Sequence, residues 1–292
     1  MYLADLFAAG LAIGCVYSLV ALGFAMIIRA TGIIHFAQGE LLMLGSMSAL
    51  STLWLMPRLP AVLVLVCGMI ASGVLAVAME FLVYRPLRLR RVPLMNVITA
   101  TVGMSILCIN AARIIWGSEP LRFPELFATT AYAFGGVHIS PQLFWIMVMG
   151  VAIMAALQLF LKHTRTGIAM QAVAQDPETA QLMGANLTRM MAYTFAISGM
   201  MAGAAGVMLG SMFFAFFEMG FITGLKGFVA ATLGGLGSIA GAMLGGILFG
   251  LIETFSAVFL SSAYKDGIGM ILLIAILLVL PSGLVGLWQK RR

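Results

Sequence analysis

Apolar runs of membrane-spanning length succeed one another along the chain, at about 6–28, 33–55, 61–84, 94–115, 141–161, 191–213, 221–238, 241–260 and 267–288. A helix crosses the hydrocarbon core of a bilayer in roughly 20 apolar residues. The pattern therefore predicts an all-α, polytopic integral membrane protein with about 8–10 transmembrane helices. The run 221–238 is rich in glycine and also suits a broken or re-entrant segment, which would have to be buried in protein. No long polar stretch separates the runs, so residues 1–292 read as a single transmembrane domain.

Composition agrees with the pattern. The chain is 62% hydrophobic and 9% charged, with a mean hydropathy of +1.10, whereas an ordinary soluble domain has about 45–50% apolar residues. The first run is too long for a signal-peptide core and is preceded by Asp5 rather than a basic residue, so it reads as a retained span. Cys15, Cys67 and Cys108 all lie inside apolar runs without zinc-ligand spacing, and read as small buried hydrophobes. The net charge of +6 is no sign of nucleic-acid binding, because the basic residues gather in short connections.

Those connections fix an orientation. Arg85, Arg88, Arg90 and Arg91 stand in "YRPLRLRR", Lys162, Arg165 and Arg189 around the longest polar connection, and Lys290, Arg291 and Arg292 at the end of the sequence. Two spans and then four separate these clusters, so all three can face the cytoplasm, as the positive-inside rule requires. Arg29 joins them. The N-terminus is then outside, the C-terminus cytoplasmic, and the connection 116–140, with Glu119 and Glu125, outside.

The connection 162–190 contains more than a link needs. In "AVAQDPETAQLMGAN", Asp176 is placed to cap a helix, Pro177 suits its first position, Glu178 complements the positive end of its dipole, and Gly184 is placed to end it. Ala180, Leu182 and Met183 give it a small apolar surface. Two readings fit: a helix lying on lipid, or a docking helix for a cytoplasmic partner.

Charges within the runs are expensive to insert. Glu40 lies early in the second run and Glu253 near the middle of the eighth, each fitting either a lining for a zwitterionic solute or an interhelical hydrogen bond. Glu218 and Lys226 stand at the beginning of the 221–238 run. Glu80 and Arg113 are close enough to span ends to snorkel, and His35 and His138 read as solvated or hydrogen-bonded. Asn96, Thr99, Gly103 and Asn110 share one helical face, which must meet protein or water rather than lipid; it reads as pathway lining or as interhelical bonding.

The glycine pairs Gly10/Gly14, Gly199/Gly203, Gly206/Gly210, Gly241/Gly245 and Gly246/Gly250 are G-x-x-x-G spacings that let helices approach closely, within the chain or against a second subunit. "GIIHFAQGELLMLGS" and "GLKGFVAATLGGLGS" share G-x3-F-x8-G-S and run in opposite directions across the membrane. This suggests an inverted repeat, with Gly39, Gly45, Gly234, Gly235 and Gly237 as flexible or pathway-facing positions.

"GIAMQAVAQDPETAQLMGANLTRM" resembles the cytoplasmic coupling loop of permease subunits in bacterial ABC importers of the branched-chain amino-acid class. "GLAIGCVYSLVALGFAMIIRATGIIHFAQGELLMLGS" is similar to the opening of that family, and "GLKGFVAATLGGLGSIAGAMLGGILFGLIE" to a later part, so the resemblance covers nearly the whole chain. Its length and the lack of an N-terminal extension look more like the H-type subunit than its M-type partner. The resemblance implies a bacterial inner-membrane importer in which an extracytoplasmic solute-binding protein delivers the solute. A second, M-type permease subunit completes the passage, and two ATPase subunits hold ATP and magnesium, leaving this chain without a cofactor. It implies that Gly167, Ala172, Asp176, Pro177, Glu178, Ala180 and Gly184 form the ATPase-coupling pattern. Where that family has a basic residue, this sequence has Gln171.

The residues agree with that division of labour. A phosphate-binding loop needs Lys followed by Ser or Thr, and Lys162, Lys226, Lys265 and Lys290 are each followed by another residue. The candidate pathway or gate comprises Gly39, Glu40, Asn96, Thr99, Asn110, Gly234, Gly237 and Glu253. The alternative is a self-sufficient secondary transporter or channel, which would show a paired ion relay in mid-span where the sequence offers scattered charges. Ser46 and Ser48 have no histidine at comparable depth to activate them, which argues against an intramembrane enzyme.

Overall fold

A computed structural model describes residues 2–124, 132–134, 137–259, 265–279 and 283–284. Each predicted run becomes a helix, in the order α1 (Tyr2–Thr31), α2 (Gln38–Leu55), α3 (Ala61–Met79), α4 (Arg85–Leu89), α5 (Leu94–Trp116), α6 (Pro141–His163), α7 (Arg165–Gln175), α8 (Pro177–Leu182), α9 (Leu187–Met212), α10 (Met219–Gly234), α11 (Ile239–Phe259) and α12 (Lys265–Val279). A π turn, Glu80–Tyr84, joins α3 to α4 as one rod. The connection 116–140 holds a short antiparallel ribbon, β1 (Tyr132–Phe134) and β2 (Val137–Ile139), with Ala133 opposite His138. Glu125, the side chain of His138, and Lys290, Arg291 and Arg292 lie outside what is described.

Among the described residues six helices are long and apolar enough to cross a bilayer unaided: α1, the α3–α4 rod, α5, α6, α9 and α11. Two of the other three predicted crossings differ for physical reasons. The second run begins later than its apolarity suggests, because Gly32 takes φ +71 and residues 33–37 form a connection before α2. Almost all of α2 is buried against α3, α9 and α10, so Gln38, Glu40 and Ser46 meet protein rather than lipid, as polar groups at membrane depth must. The uncertain run 221–238 is one continuous, largely buried helix, α10, followed by a turn in which Gly235 and Gly237 take φ +110 and +83. α12, over Lys265–Val279, is the described part of the ninth apolar run.

The glycine pairs pack within the chain. Gly14 and Gly250 bring α1 against α11, Gly203 and Gly68 bring α9 against α3, and Gly206 lies on the Leu42 carbonyl of α2. Such close approach replaces the hydrophobic drive that lipid cannot supply. Hydroxyls bridge the same crossings: Ser18 Oγ donates to the Met243 carbonyl at 2.7 Å, Ser72 Oγ to the Leu41 carbonyl at 2.7 Å, and Ser198 Oγ to Gln38 Oε1 at 3.1 Å.

The repeat does not relate equivalent elements. Residues 32–46 form a connection and then the start of α2, whereas residues 224–238 form the end of α10 and then a turn. Of the glycines in the shared pattern, Gly45 and Gly224 sit in close crossings, whereas Gly32 and Gly237 take φ +71 and +83 in turns. Gly39 packs on Gly220 and Gly224, Gly45 on Gly203, and Gly234 on Gly241.

Candidate functional site

The 162–190 connection is built as its local chemistry dictates. Thr164 ends α6 and caps α7, its Oγ1 accepting from the Gly167 N–H at 3.0 Å. α7 then folds back on α6 so closely that a Cβ at Gly167 would meet the Phe160 carbonyl. Gln171 Nε2 donates to the Leu161 carbonyl at 2.7 Å, so the residue that departs from the resemblance fastens α7 to α6.

At the next corner Asp176 Oδ1 accepts from the backbone N–H groups of Glu178 and Thr179, both at 3.1 Å, while Oδ2 takes the Thr179 hydroxyl. These bonds, the Thr179 hydroxyl foremost, hold the exposed Asp176 carboxyl below the usual carboxylate range. Pro177 opens α8. The helix closes in a Schellman motif: Gly184, at φ +90, donates to the Gln181 carbonyl at 2.9 Å, and Ala185 to the Ala180 carbonyl at 3.0 Å.

The predicted coupling residues therefore divide by position. Gly167 and Ala180 are interior, Ala180 packing with Val173 and Met191. Ala172, Asp176, Pro177, Glu178 and Gly184 face outward. The apolar surface expected of α8 also divides, since Ala180 turns inward while Leu182 and Met183 are 87% and 86% exposed. The result is a short, doubly capped peg with a carboxylate and two large apolar side chains at its outer surface.

Beneath the peg is a cavity of about 330 Å³, where Pro177 meets the end of α1, the α1–α2 connection, the π turn and the start of α9. His35 stands in its wall. The sequence reading of His35 as solvated or hydrogen-bonded is corrected here: it is 2% exposed, and neither ring nitrogen has a hydrogen-bond partner among the described residues. Its ring lies edge-on to Tyr84 at 5.0 Å and to Phe195 at 5.6 Å. Close by, Glu80 pairs with Arg88 at 2.5 Å, rather than reaching an interface. Arg113 lies over the Phe217 ring at 5.6 Å.

The pathway candidates are dispersed. Glu40 is fully buried and accepts from Ser105 Oγ of α5 at 3.0 Å. Gly39 and Gly234 sit in helix crossings, and Gly237 in the α10–α11 turn. Asn96, Thr99, Gly103 and Asn110 lie on the exposed face of α5, away from this chain's own core. Thr99 and Asn110 satisfy themselves on the carbonyls of Met95 and Ile106, at 2.9 and 2.8 Å.

Glu253 has a partner that sequence reading missed. Its Oε1 lies 2.5 Å from Lys226 Nζ, both groups being buried. The signal was weak, because Lys226 is nine residues before Gly235 whereas Glu253 is fifteen after Ser238, so a symmetric hairpin would not align them. Among the described residues Lys226 and Glu253 are thus paired across two helices, whereas Glu40 meets only the Ser105 hydroxyl. Among the described residues no three metal-ligating side chains converge.

Residues 6–277 match the model of a family described as the permease component of branched-chain amino acid transport systems. The chain is similar to the high-affinity branched-chain amino acid transport permease protein LivH of Salmonella typhimurium, with 35% identity over 95% of this chain and 93% of that protein. It is similar also to BraD of Pseudomonas aeruginosa, of the same description, with 37% identity over 95% and 94%. A probable LivH of Methanocaldococcus jannaschii is 29% identical over 93% and 89%.

Proposed function

Since the chain belongs to the permease components of branched-chain amino acid transport systems, we propose that it forms one half of the membrane passage of an ATP-driven importer for branched-chain amino acids or related small polar solutes. Its multi-pass membrane character follows from its apolar helices. The finer reading is ours: α8 docks on an ATPase subunit, the basic end of the bundle faces the cytoplasm, and an M-type permease and an extracytoplasmic solute-binding protein complete the assembly. A second ATPase serves the second permease. ATP and magnesium belong to the ATPase subunits, and this chain performs no chemistry.

The observation that carries this reading is the peg. A segment that merely connected α6 to α9 would not need two caps, nor leave Leu182 and Met183 uncovered by the rest of the chain. An exposed apolar pair beside a carboxylate fits a protein groove with an apolar core and a polar rim. Arg29, Arg85, Arg88 and Arg165 at this end favour the cytoplasmic side. The cavity under Pro177 leaves room for displacement of the peg to reach His35 and Tyr84 without compressing a packed core.

The exposed polar stripe on α5 supports the two-permease passage, since the amides of Asn96 and Asn110 have more hydrogen-bonding groups than their own helix satisfies and call for protein or water beside them. The test is reconstitution of the chain with its ATPase, permease and binding-protein partners in liposomes. ATP-dependent leucine uptake that is lost on Glu178→Lys, with the complex still inserted, supports the reading. Equal uptake without any ATPase would favour the secondary-transporter alternative.

A further inference from the structure

A second cavity of about 330 Å³ lies between α1, α10, α11 and the end of α9, in the half of the bundle away from the peg. Its walls are mostly apolar, with Ile13, Leu209, Met219 and Ile222 among them, and the Lys226–Glu253 pair lies in its lining. Tyr17 stands beside the pair, Lys226 Nζ being 6.0 Å from the centre of its ring. Glu253 Oε2 and Thr254 Oγ1 are buried there without a hydrogen-bond partner. We infer that this cavity is a binding subsite for the zwitterion of a small aliphatic α-amino acid, with Glu253 receiving the ammonium and Lys226 the carboxylate.

The chemistry follows from the cost of charge at membrane depth. A buried ion pair adds little stability over well-packed apolar residues, so a pair lining an open space is poorly explained as a fastening. An entering zwitterion replaces one ion pair by two. The net charge stays zero at every stage, and no buried charge is stranded. Glu253 Oε2 and Thr254 Oγ1 gain the partners they lack. A ligand with only an ammonium or only a carboxylate would take one member of the pair without offering the other a counter-charge, at the cost of a broken buried ion pair. The apolar walls favour a hydrocarbon side chain. The volume, at the small end of the usual pocket range of about 300–1,000 Å³, suits a free amino acid better than a peptide.

This inference rests on the permease reading and names the solute-reading site within it. The experiment uses the purified full chain in nanodiscs and follows thermal unfolding against L-leucine, isoamylamine and 4-methylpentanoate. L-leucine should raise the unfolding temperature saturably, and each singly charged analogue should need at least a tenfold higher concentration, on the order of 1.4 kcal/mol weaker binding.

The charge-reversed double variant Lys226→Glu/Glu253→Lys keeps an ion pair but exchanges the two charges and gives up the Lys226 position over the Tyr17 ring, and loses the leucine response. If it fails to fold, Lys226→Met/Glu253→Gln serves instead, with the same loss expected. Equal responses to all three ligands, no response to leucine, or a leucine response retained in the folded variant would each overturn the inference. Native mass spectrometry showing a lipid held by the wild type and released by the neutral variant would assign the cavity to an acyl chain, and also overturn it. Uptake separates the two claims: if the wild-type transporter imports leucine and the folded pocket variants import it equally well, the pocket falls and the permease reading stands.

Discussion

Pro177, the first residue of α8, and Tyr84, in the π turn that follows α3, line the same cavity. The peg therefore abuts open space that reaches the buried ring of His35, rather than a close-packed core. Movement of α8 can be absorbed there and passed to the α1–α2 connection and to α9.

Filling that space should uncouple the peg from the bundle. Ala30 lines the cavity, and Ala30→Leu is expected to leave the complex assembled and hydrolysing ATP while uptake per ATP falls several-fold. Parallel assays of phosphate release and leucine uptake in proteoliposomes check this; unchanged coupling would separate the cavity from transmission.

Asp176 makes α8 sensitive to acid in a definite direction. Its carboxyl is held below its ordinary value by bonds made only in the folded segment, so the cap is complete above the unfolded pKa of about 3.9. It is lost as pH falls through the lower folded value. Amide exchange over residues 178–183 should be unchanged from pH 7 to about pH 5 after correction for intrinsic rates, and should speed up under stronger acid. Asp176→Ala should show the faster exchange already at pH 7, and Asp176→Asn, a comparable cap, should not.

Much of this loop was legible in the sequence. Asp176, Pro177 and Gly184 act through their own backbone preferences, which depend on neighbours a few residues away. The crossings were legible as G-x-x-x-G spacings, although spacing alone does not say which helix fills each groove. His35 and the Lys226–Glu253 pair were not legible, because burial and pairing arise from helices distant in sequence. The repeat misled because glycine recurs for two different reasons, in close crossings at Gly45 and Gly224 and in turns at Gly32 and Gly237.

Two glycines separate packing from interface. A Cβ at Gly206 would meet the Leu42 carbonyl and the Ser46 backbone, whereas nothing lies within 4 Å of a Cβ at Gly103. Gly206→Val should destabilise by about 1–3 kcal/mol through overpacking, seen as loss of monodisperse protein in detergent. Gly103→Ala should stay within about 0.5 kcal/mol of wild type as an isolated chain.

The α5 stripe gives a matching test for the second permease. Asn96 and Asn110 are exposed in this chain, so Asn96→Leu/Asn110→Leu should leave its folding intact. If the stripe meets the partner permease or the passage, co-purification with that partner or leucine uptake should fall at least several-fold. Wild-type values for both would place the stripe elsewhere.

The most direct measurement concerns Leu182, the exposed apolar side chain of the peg. A photoreactive benzophenone amino acid at position 182, irradiated in native membranes containing the assembled transporter, should form its principal adduct with an ATPase subunit. The yield should fall when Glu178→Lys is added. Adducts with lipid alone, equal in the presence and absence of the ATPase subunits, would contradict a docking role for α8 and the coupling account built on it.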